Sequence, residues 1–376
     1  MRPRAIHQVL AALAYGDAIG NEALAIRDHL RGRGFESDIF AEKVHSKMTG
    51  LARPLSEYEG AAASGALCMF HFSIGSAASS LVYHRTDPLI CVYHNITPPE
   101  FFFPFHPHLA RLCHHGKREL AAFASRSALG LGVSEFNRRE LQAQGFQPTG
   151  VLPIVIDWSR YDEEPSPVML QRLSGFSGPT ILFVGRIVPN KKIEDLLASF
   201  AAFQRHHHTE SRLLLVGDTT GHERYLRRLL ESVRSLRLRN VVFTGQVTQA
   251  DLIAAYRSSE AFLCLSEHEG FCVPLLEAMH FGLPVLAYDA AAVSETMAGG
   301  GVLLDDKDPT LVAEALALAV QKGDFRKAVL ASQALTLQAA KAIDFGARLE
   351  AHIETALEWA APSPSPSGSH AGRVIR

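Results

Sequence analysis

The sequence has few cysteines, no long apolar run and no excess of charge of either sign. Its 376 residues include five cysteines without a close C-x-x-C pair, so neither a disulfide framework nor a structural zinc site is expected. No stretch reaches the roughly 18 uninterrupted apolar residues of a membrane span. Lys and Arg number 37 against 39 Asp and Glu, so a nucleic-acid partner is not expected and any anion must be bound locally.

The N-terminus imitates a signal peptide. A basic start, MRPR, precedes the apolar run AIHQVLAALA, but His7 and Gln8 interrupt that run, which also reads as a first strand. With the reduced cysteine usage, this favours a cytoplasmic protein. A peripheral position at the inner face of the plasma membrane stays open, and nothing in the sequence indicates an oligomeric state.

Short apolar runs alternate with helical patterns along almost the whole chain. This rhythm is typical of βαβ units, and it predicts an α/β fold of two doubly wound parallel sheets that face a common cleft. In the first half we expect strands at 5–10, 34–40, 66–72, 89–93, 129–133 and 149–153, with helices at 21–31, 109–123 and 135–144.

The rhythm breaks at 158–179, which is rich in Pro, Ser, Gly and acidic residues and reads as a linker. The expected division is an N-terminal Rossmann-like domain at 1–165 and a C-terminal one at 166–345. A last helix at 346–361 would cross back to the first domain. The tail at 362–376 has the composition of a disordered segment.

The segment TILFVGRIVPNKKIEDLL combines a strand end with three cations. Arg186 follows the strand that ends at Gly185, and Lys191 or Lys192 precedes the next helix. Cations beside the positive end of a helix dipole suit a diphosphate. An ordinary basic turn is the alternative.

The segment SEHEGFCVPLLEAMHFGLPV places two glutamates around a helix start. Glu269 and Glu277 are eight residues apart, a rise of roughly 12 Å in a continuous helix. That exceeds the spacing of about 5 to 9.5 Å between paired glycosidase carboxylates. The two acids are therefore expected to contact different parts of one extended ligand. The alternative is a capped helix whose two acids face solvent.

These two segments resemble motifs of the retaining GT-B glycosyltransferases of glycosyltransferase family 4. Glu269 and Glu277 match the E-x7-E motif, and Gly185, Arg186 and Lys191 match G-R-x-x-P-x-K. The resemblance extends over nearly the whole chain. It includes GVSEFNRREL and VSETMAGGGVLL, in which Glu295 takes the place of the family's Pro-Glu glutamate.

The resemblance implies a role for each matching residue in the C-terminal half. Arg186 and Lys191 would bind the donor diphosphate, Glu277 the ribose, and Glu269 would lie at the transferred sugar. Lys192 stands where the family usually has glycine, which leaves open which lysine contacts phosphate. The implied donor-binding set also contains Gly16, Gly20, Gly185, Lys192, Val247, Gly270, Phe271 and Cys272.

In the N-terminal half, His94 corresponds to the family's histidine at a strand end beside the reacting sugar, and it completes the implied catalytic set of His94, Arg186, Lys191 and Glu269. Asn95 and the phenylalanines that follow it are candidates for the acceptor side. Phe101, Phe102 and Phe103 would border that site and dip into a membrane interface. Packing as core or as a lid over the cleft is the equally weighted alternative.

The reaction implied by the resemblance is transfer of a hexosyl group from a nucleotide diphosphate sugar to a hydroxyl of a glycan or lipid-linked acceptor, with retained configuration. The donor would be GDP-mannose, a UDP-sugar or a dTDP-sugar, in bacterial surface polysaccharide or glycoconjugate synthesis. No cofactor and no metal are expected. A GT-B nucleotide-sugar epimerase and a non-catalytic nucleotide-sugar-binding module remain alternatives. The loop at 16–20 is not G-x-G-x-x-G, which disfavours a dehydrogenase.

Overall fold

A computed structural model describes residues 4–61 and 66–360, and the tail predicted at 362–376 lies outside this range. Within these residues the chain forms two parallel sheets. The first has seven strands in the order β3-β2-β1-β4-β5-β6-β7, and the second has six in the order β10-β9-β8-β11-β12-β13. Both orders place the first strand of each half centrally, as in a doubly wound fold, which confirms the predicted fold class.

The first half contains seven strands and five helices among its described residues. They are β1 (Ile6–Leu13), α1 (Ala18–Gly32), β2 (Ile39–Val44), β3 (Arg53–Pro54), α2 (Tyr58–Ala61), β4 (Leu67–Phe72), α3 (Ala77–Tyr83), β5 (Leu89–Tyr93), α4 (Pro107–Ala124), β6 (Leu129–Gly132), α5 (Glu135–Ala143) and β7 (Thr149–Val151).

The second half follows after a 3-10 turn at Trp158–Tyr161. Its elements are α6 (Pro167–Ser174), β8 (Thr180–Val184), α7 (Ile193–His206), β9 (Arg212–Val216), α8 (Glu223–Ser235), β10 (Val241–Gly245), α9 (Gln249–Arg257), β11 (Ala261–Cys264), α10 (Val273–His280), β12 (Val285–Tyr288), α11 (Val293–Met297), β13 (Val302–Leu304), α12 (Pro309–Val320), α13 (Asp324–Lys341) and α14 (Phe345–Ala360).

The second strand was predicted too early. The start of the strand predicted at 34–40 is instead the turn that ends α1, because Gly34 has a φ of +86° and the amide of Phe35 donates to the carbonyl of Leu30. Such a left-handed residue closes a helix and favours glycine. The chain joins β1 at Glu36, which forms an isolated parallel bridge with Ala5, and β2 itself begins at Ile39.

The linker predicted at 158–179 contains a helix that its composition did not suggest. The Ser166 hydroxyl accepts from the amide of Met169 and so caps α6, with Pro167 in the first turn. Met169 and Leu173 pack into the core of the second domain. The last strand of the first sheet ends at Val151 and the first strand of the second begins at Thr180, so α6 belongs to the second unit.

Helix α14 returns to the N-terminal sheet. Leu349 and Ile353 are buried with Leu67 and Leu129 in one apolar cluster. Glu350 adds ion pairs of 2.9 Å to His29 and to Arg33 on the N-terminal domain. The chain therefore passes from one domain to the other a second time, and α14 packs on the N-terminal domain. Among the described residues no helix combines the length and apolar character needed to cross a membrane.

Candidate active site

The functional side chains lie where parallel strands end. Arg186 follows β8, Glu269 follows β11, and His94 follows β5. The carboxyl ends of parallel strands meet at one edge of a sheet, so each domain presents its strand-end loops to the same cleft. The loops of the two domains are in contact across this cleft.

Lys191 and Glu269 form a buried ion pair in the cleft. Lys191 Nζ donates to Glu269 Oε2 at 2.5 Å, and only 6% of the Glu269 side chain is exposed. Burial alone would lower the pKa of Lys191, but the Glu269 carboxylate, with Cys272, raises it above its ordinary value. Lys191 is therefore a fixed cation, available to an anion that replaces Glu269.

The neighbouring lysine has a different environment. Lys192 has a φ of +51°, a left-handed conformation that favours glycine, and its Nζ lies 3.2 Å from Glu267. A quarter of its side chain is exposed. Of the two lysines, Lys191 is the one held against the motif glutamate.

Arg186 is exposed at the end of β8 and faces both domains. Its guanidinium lies 3.4 Å from His222 Nε2. Burial raises the pKa of Asp17, in the loop after β1, and Arg186 partly opposes that rise from the other domain. Arg186 and Lys191 therefore present two cations to one side of the cleft.

Glu277 is held by two tyrosines. Its Oε1 accepts from the hydroxyl of Tyr161 at 2.5 Å and its Oε2 from that of Tyr256 at 2.6 Å. Burial raises the pKa of Glu277, while both hydroxyl bonds lower it. With 8% of Glu277 and 6% of Glu269 exposed, the alternative of two solvent-facing acids is wrong. The continuous-helix spacing does not apply either, since α10 begins at Val273.

Gly270 lies against the N-terminal domain. A Cβ there would be 3.0 Å from the Asn95 Cβ and from the His94 carbonyl oxygen, so a side chain would press the two loops apart. The Asn95 amide donates to Asn137 Oδ1 at 2.9 Å, and Asn137 Nδ2 donates to the Gly270 carbonyl at 3.1 Å. A second bond crosses nearby, from the Glu135 amide to Glu295 Oε2 at 2.6 Å. The cleft is closed in this conformation.

The His94 ring lies in the interior rather than toward the cleft, because 1% of its side chain is exposed and its Nε2 lies 2.8 Å from His71 Nδ1. His71 Nε2 lies 2.9 Å from Gln8 Oε1, and Gln8 Nε2 donates to the Ala23 carbonyl at 2.9 Å. What His94 presents toward the Gly270 loop is its carbonyl oxygen. A ring contact with the reacting sugar, as the resemblance implied, requires this packing to open.

The protonation of the hydrogen-bonded series Gln8, His71 and His94 follows from the orientation of the Gln8 amide. Because the Gln8 side-chain NH₂ donates to a carbonyl, the Gln8 oxygen accepts from His71 Nε2. His71 Nδ1 then accepts from His94 Nε2. This leaves His94 Nδ1 as an acceptor, 3.5 Å from Glu22 Oε2. Burial raises the pKa of Glu22 well above its ordinary value and lowers that of His71 to about 3. The whole group is therefore neutral.

The phenylalanine segment bridges the domains. Phe102 is 5% exposed and lies 6.0 Å from the His222 ring, and Phe105 makes an edge contact with Tyr225. Phe101 lies under the Lys192 ammonium group. Phe103 is 67% exposed. Phe101 and Phe102 therefore act as a lid against the C-terminal domain, and Phe102 is not available to a membrane.

The remaining candidates shape the loops around the cleft. Gly16 has a φ of +73°, and a Cβ on Gly20 would come within 3.0 Å of the Ala14 carbonyl. Just before Gly16, the Tyr15 carbonyl accepts from Gln246 Nε2 of the other domain at 3.1 Å. Val247, Phe271 and Cys272 pack on the core of the C-terminal domain, and Gly185, with a φ of +150°, precedes Arg186.

Several residues in the cleft or in the interior behind it carry buried polar atoms without a hydrogen-bond partner among the described residues. These atoms belong to Glu22, His94, Asn95, Asn190, His222 and Glu269. Buried polar groups are normally satisfied, so such a concentration indicates a place where a polar ligand or water supplies the missing partners. Sequence patterns did not single out Tyr161, Tyr256, Asn137 or Glu22, because each gains its role only from a distant partner.

Two clusters in the described part of the chain have the donor atoms of a metal site. Glu22, His71 and His94 form one, but the two imidazoles are bonded to each other and Glu22 is inaccessible. The other consists of Cys264, Glu269 and Cys272 at the cleft.

Comparison with known proteins agrees with this architecture. Residues 175–332 match the family model for glycosyl transferases group 1. A GDP-mannose-dependent alpha-mannosyltransferase of Mycolicibacterium smegmatis is 33% identical over 51% of the chain, and the O-antigen chain mannosyltransferase B of Escherichia coli is 25% identical over 65%. The chain spans only 45% and 64% of the lengths of these relatives.

Among solved structures, Anabaena Alr3699/HepE in complex with UDP and glucose superposes with a TM-score of 0.72 at 18% identity, covering 93% of this chain and all of that one. WaaG, a glycosyltransferase involved in lipopolysaccharide biosynthesis, gives 0.68 at 14% identity over 93% of this chain and 98% of its own. At such identities the likeness concerns the fold. The chain therefore has the two-domain GT-B fold of these structures, and its C-terminal domain is similar to the glycosyl transferases group 1.

Proposed function

We propose that this protein is a retaining hexosyltransferase that transfers a sugar from a nucleotide diphosphate donor to an acceptor hydroxyl on a glycan or a lipid-linked glycan. The observation that carries the proposal is the buried Lys191–Glu269 pair beside Arg186 in a closed cleft. A diphosphate entering this cleft supplies the anion that replaces Glu269 as the partner of Lys191. Glu269 is then free to accept from a hydroxyl of the transferred sugar.

The chemical contribution of the site is electrostatic. As the glycosidic bond breaks, negative charge develops on the leaving diphosphate, and preorganised cations in a water-poor cleft stabilise that charge. Both oxygens of Glu277 accept hydrogen bonds from Tyr161 and Tyr256, so this second motif carboxylate is not free to act as a nucleophile. A front-face reaction, in which a donor phosphate oxygen takes the acceptor proton, fits this arrangement. The new bond then forms on the face that the diphosphate leaves.

GDP-mannose is the donor we propose first. Two of the similar proteins are named GDP-mannose-dependent mannosyltransferases, and another is a mannosyltransferase of an O-antigen chain. A thermal-shift series with GDP-mannose, UDP-glucose and dTDP-glucose tests the choice, because a ligand at 100 times its Kd stabilises the fold by about 2.7 kcal/mol. A shift with UDP-glucose alone would replace GDP-mannose by a UDP-sugar.

The reaction itself is tested with the donor and a panel of free and lipid-linked oligosaccharides. We expect release of the nucleoside diphosphate only when an acceptor is present, and an α-linked product from an α-linked donor, as seen by NMR. An inverted linkage would overturn retention. Donor conversion without acceptor would favour the nucleotide-sugar epimerase, and tight donor binding without turnover on any acceptor would favour the binding module.

We place the enzyme in the cytoplasm, at the inner face of the membrane when its acceptor is lipid-linked. Of the three candidate phenylalanines, Phe103 is the one with an exposed ring. Flotation with anionic liposomes tests this position, comparing Phe103→Ser with the unchanged protein. Equal recovery of both would remove Phe103 from the acceptor side and leave a reaction on a soluble glycan.

A further inference from the structure

Two thiols flank the motif glutamate in the cleft. Cys264 ends β11, Cys272 precedes the first turn of α10, and Glu269 lies in the loop between them. The chain reverses there, so the two Sγ atoms and one Glu269 carboxylate oxygen all lie within 4.8 Å of one another. Cys272 is the half-buried member of the pair, and Cys264 is fully buried.

Only one oxygen of the Glu269 carboxylate accepts a hydrogen bond from the described residues. Its Oε2 accepts from Lys191, whereas its Oε1 is buried and has no partner among the described residues. A buried oxygen without a donor loses free energy that a ligand restores. The site thus offers an unpaired carboxylate oxygen next to two soft sulfur donors.

We propose that Cys264, Cys272 and Glu269 form a binding site for Zn²⁺ that inhibits donor binding. Zinc takes thiolate and carboxylate ligands tetrahedrally, with bonds of about 2.3 Å to sulfur and about 2.0 to 2.2 Å to oxygen. Tetrahedral bonds of that length put two sulfurs just under about 4 Å apart, so small side-chain rotations close the present spacing. Water takes the fourth position.

Charge balance supports this assignment. Binding breaks both S–H bonds, releases two protons to solvent and forms two Zn–S bonds and one Zn–O bond. Two thiolates and a carboxylate around a divalent ion leave one negative charge, which Lys191 neutralises from the other carboxylate oxygen.

Occupancy has a functional consequence, because the metal holds Glu269 and keeps Lys191 paired with it. A donor diphosphate needs that same lysine, so metal and donor exclude each other. The exclusion is reciprocal, since coupling between two ligands acts equally on both.

The test is a titration of the full chain with Co²⁺, which substitutes for zinc and shows thiolate-to-cobalt charge-transfer absorption in the near ultraviolet. Phosphine reductant keeps the thiols reduced without binding the metal. We expect this band at one equivalent, its loss on adding Zn²⁺, and a weaker metal affinity when GDP or UDP is present. Mg²⁺, which prefers oxygen ligands, should not displace the cobalt.

Cys264→Ser and Cys272→Ser are each expected to weaken the metal affinity by at least about 100-fold, more than the loss of an outer-shell partner usually costs. Cys113→Ser, at a buried thiol on α4, is the matched control and should bind as the unchanged protein does. Circular dichroism confirms that each variant is folded, and Glu269→Gln serves as a third variant. A band that persists in both cysteine variants, or none in the unchanged chain, overturns the proposal whether or not the protein transfers sugar.

Discussion

The two faces of the cleft handle buried polar groups in opposite ways. On the C-terminal face, Lys191 and Glu269 form a buried ion pair, and the Glu269 carboxylate raises the pKa of Lys191. On the N-terminal face, Glu22, His71 and His94 are neutral, because burial raises the pKa of the acid and lowers that of the imidazoles. Desolvation dominates wherever no opposite charge is close enough to offset it.

Because one face carries an ion pair and the other a neutral hydrogen-bonded group, the two faces have different roles. An ion pair in the cleft can exchange its partner for a charged ligand at modest cost, since one anion replaces another. A neutral hydrogen-bonded chain cannot respond to charge, but it fixes ring orientation and loop shape. The C-terminal face is therefore suited to anion binding, and the N-terminal face to holding the His94–Asn95 loop against Gly270.

The largest expected effect comes from removing the cation of the charged face. Lys191→Ala should lower kcat by roughly 10² to 10³, by analogy with the loss of one preorganised donor. Lys192→Ala is the matched control and should change kcat less than about fivefold, because a partly exposed ion pair contributes at most about 1 kcal/mol. Steady-state kinetics measure both. Equal losses would mean that Lys192 shares the phosphate.

A second effect concerns the tyrosines that hold Glu277. Tyr256→Phe removes a hydrogen bond to a buried carboxylate and should destabilise the fold by about 1.5 to 3 kcal/mol, with a raised KM for the donor. Tyr161→Phe should raise KM similarly. Urea denaturation and donor titration give the two numbers. An unchanged KM in both variants would separate Glu277 from the donor.

The neutral state of Glu22 is tested by measuring the free energy of unfolding at different pH values. Burial raises the pKa of Glu22, so the folded chain keeps a proton that the unfolded chain loses above the ordinary pKa of 4.5. The stability contributed by this group is full in acid and declines as pH rises toward the folded pKa. Glu22→Gln lacks that titrating proton and should gain stability relative to the unchanged chain between pH 6 and pH 7, by at most about 1.4 kcal/mol.

Denaturant titrations at the two pH values measure this gain. The shared His71 and His94 contributions cancel in the difference. A Glu22→Gln chain that is less stable by a constant amount would show that Glu22 is ionised and paired with a charged His94, and the contrast between the faces would fail.

The smallest effect tests the contact between the faces. Glu295→Ala leaves the Glu135 amide, in the first turn of α5, without its acceptor and should cost about 0.5 to 1.5 kcal/mol. The exposed Glu231 on α8, changed to Ala, is the control. Thermal unfolding reports both. A larger loss in the presence of GDP than in its absence would show that the bond belongs to the donor-bound closed state.

Local patterns predicted most elements of the fold. The β5 strand was predicted at its observed bounds because a run of five apolar residues between turns is typical of a buried strand and too short for an ordinary helix. The strand predicted at 34–40 was placed too early because the αL turn at Gly34 still belongs to the end of α1, which hydrophobicity alone does not reveal. Helix α6 was missed because Pro and Ser, typical of linkers, also start and cap helices.

The candidate site likewise combines residues that local sequence predicted with residues that only distant contacts bring together. Local sequence patterns predicted the four motif residues, because they lie at or near strand ends and helix starts, which form from neighbouring residues. These residues are Arg186, Lys191, Glu269 and Glu277. Tyr161 and Tyr256 reach Glu277 from 116 and 21 residues away, and Asn137 reaches Gly270 from 133. No pattern of spacing encodes such pairs.

By itself the sequence determined the two doubly wound domains, the strand-end cations and the acidic motif, because each depends on neighbours within a few residues. Only the tertiary structure decided which lysine meets Glu269, that the His94 ring turns inward, and that Cys264 and Cys272 flank one carboxylate. These depend on desolvation and on contacts between distant segments, and both arise only when the domains fold and close on each other.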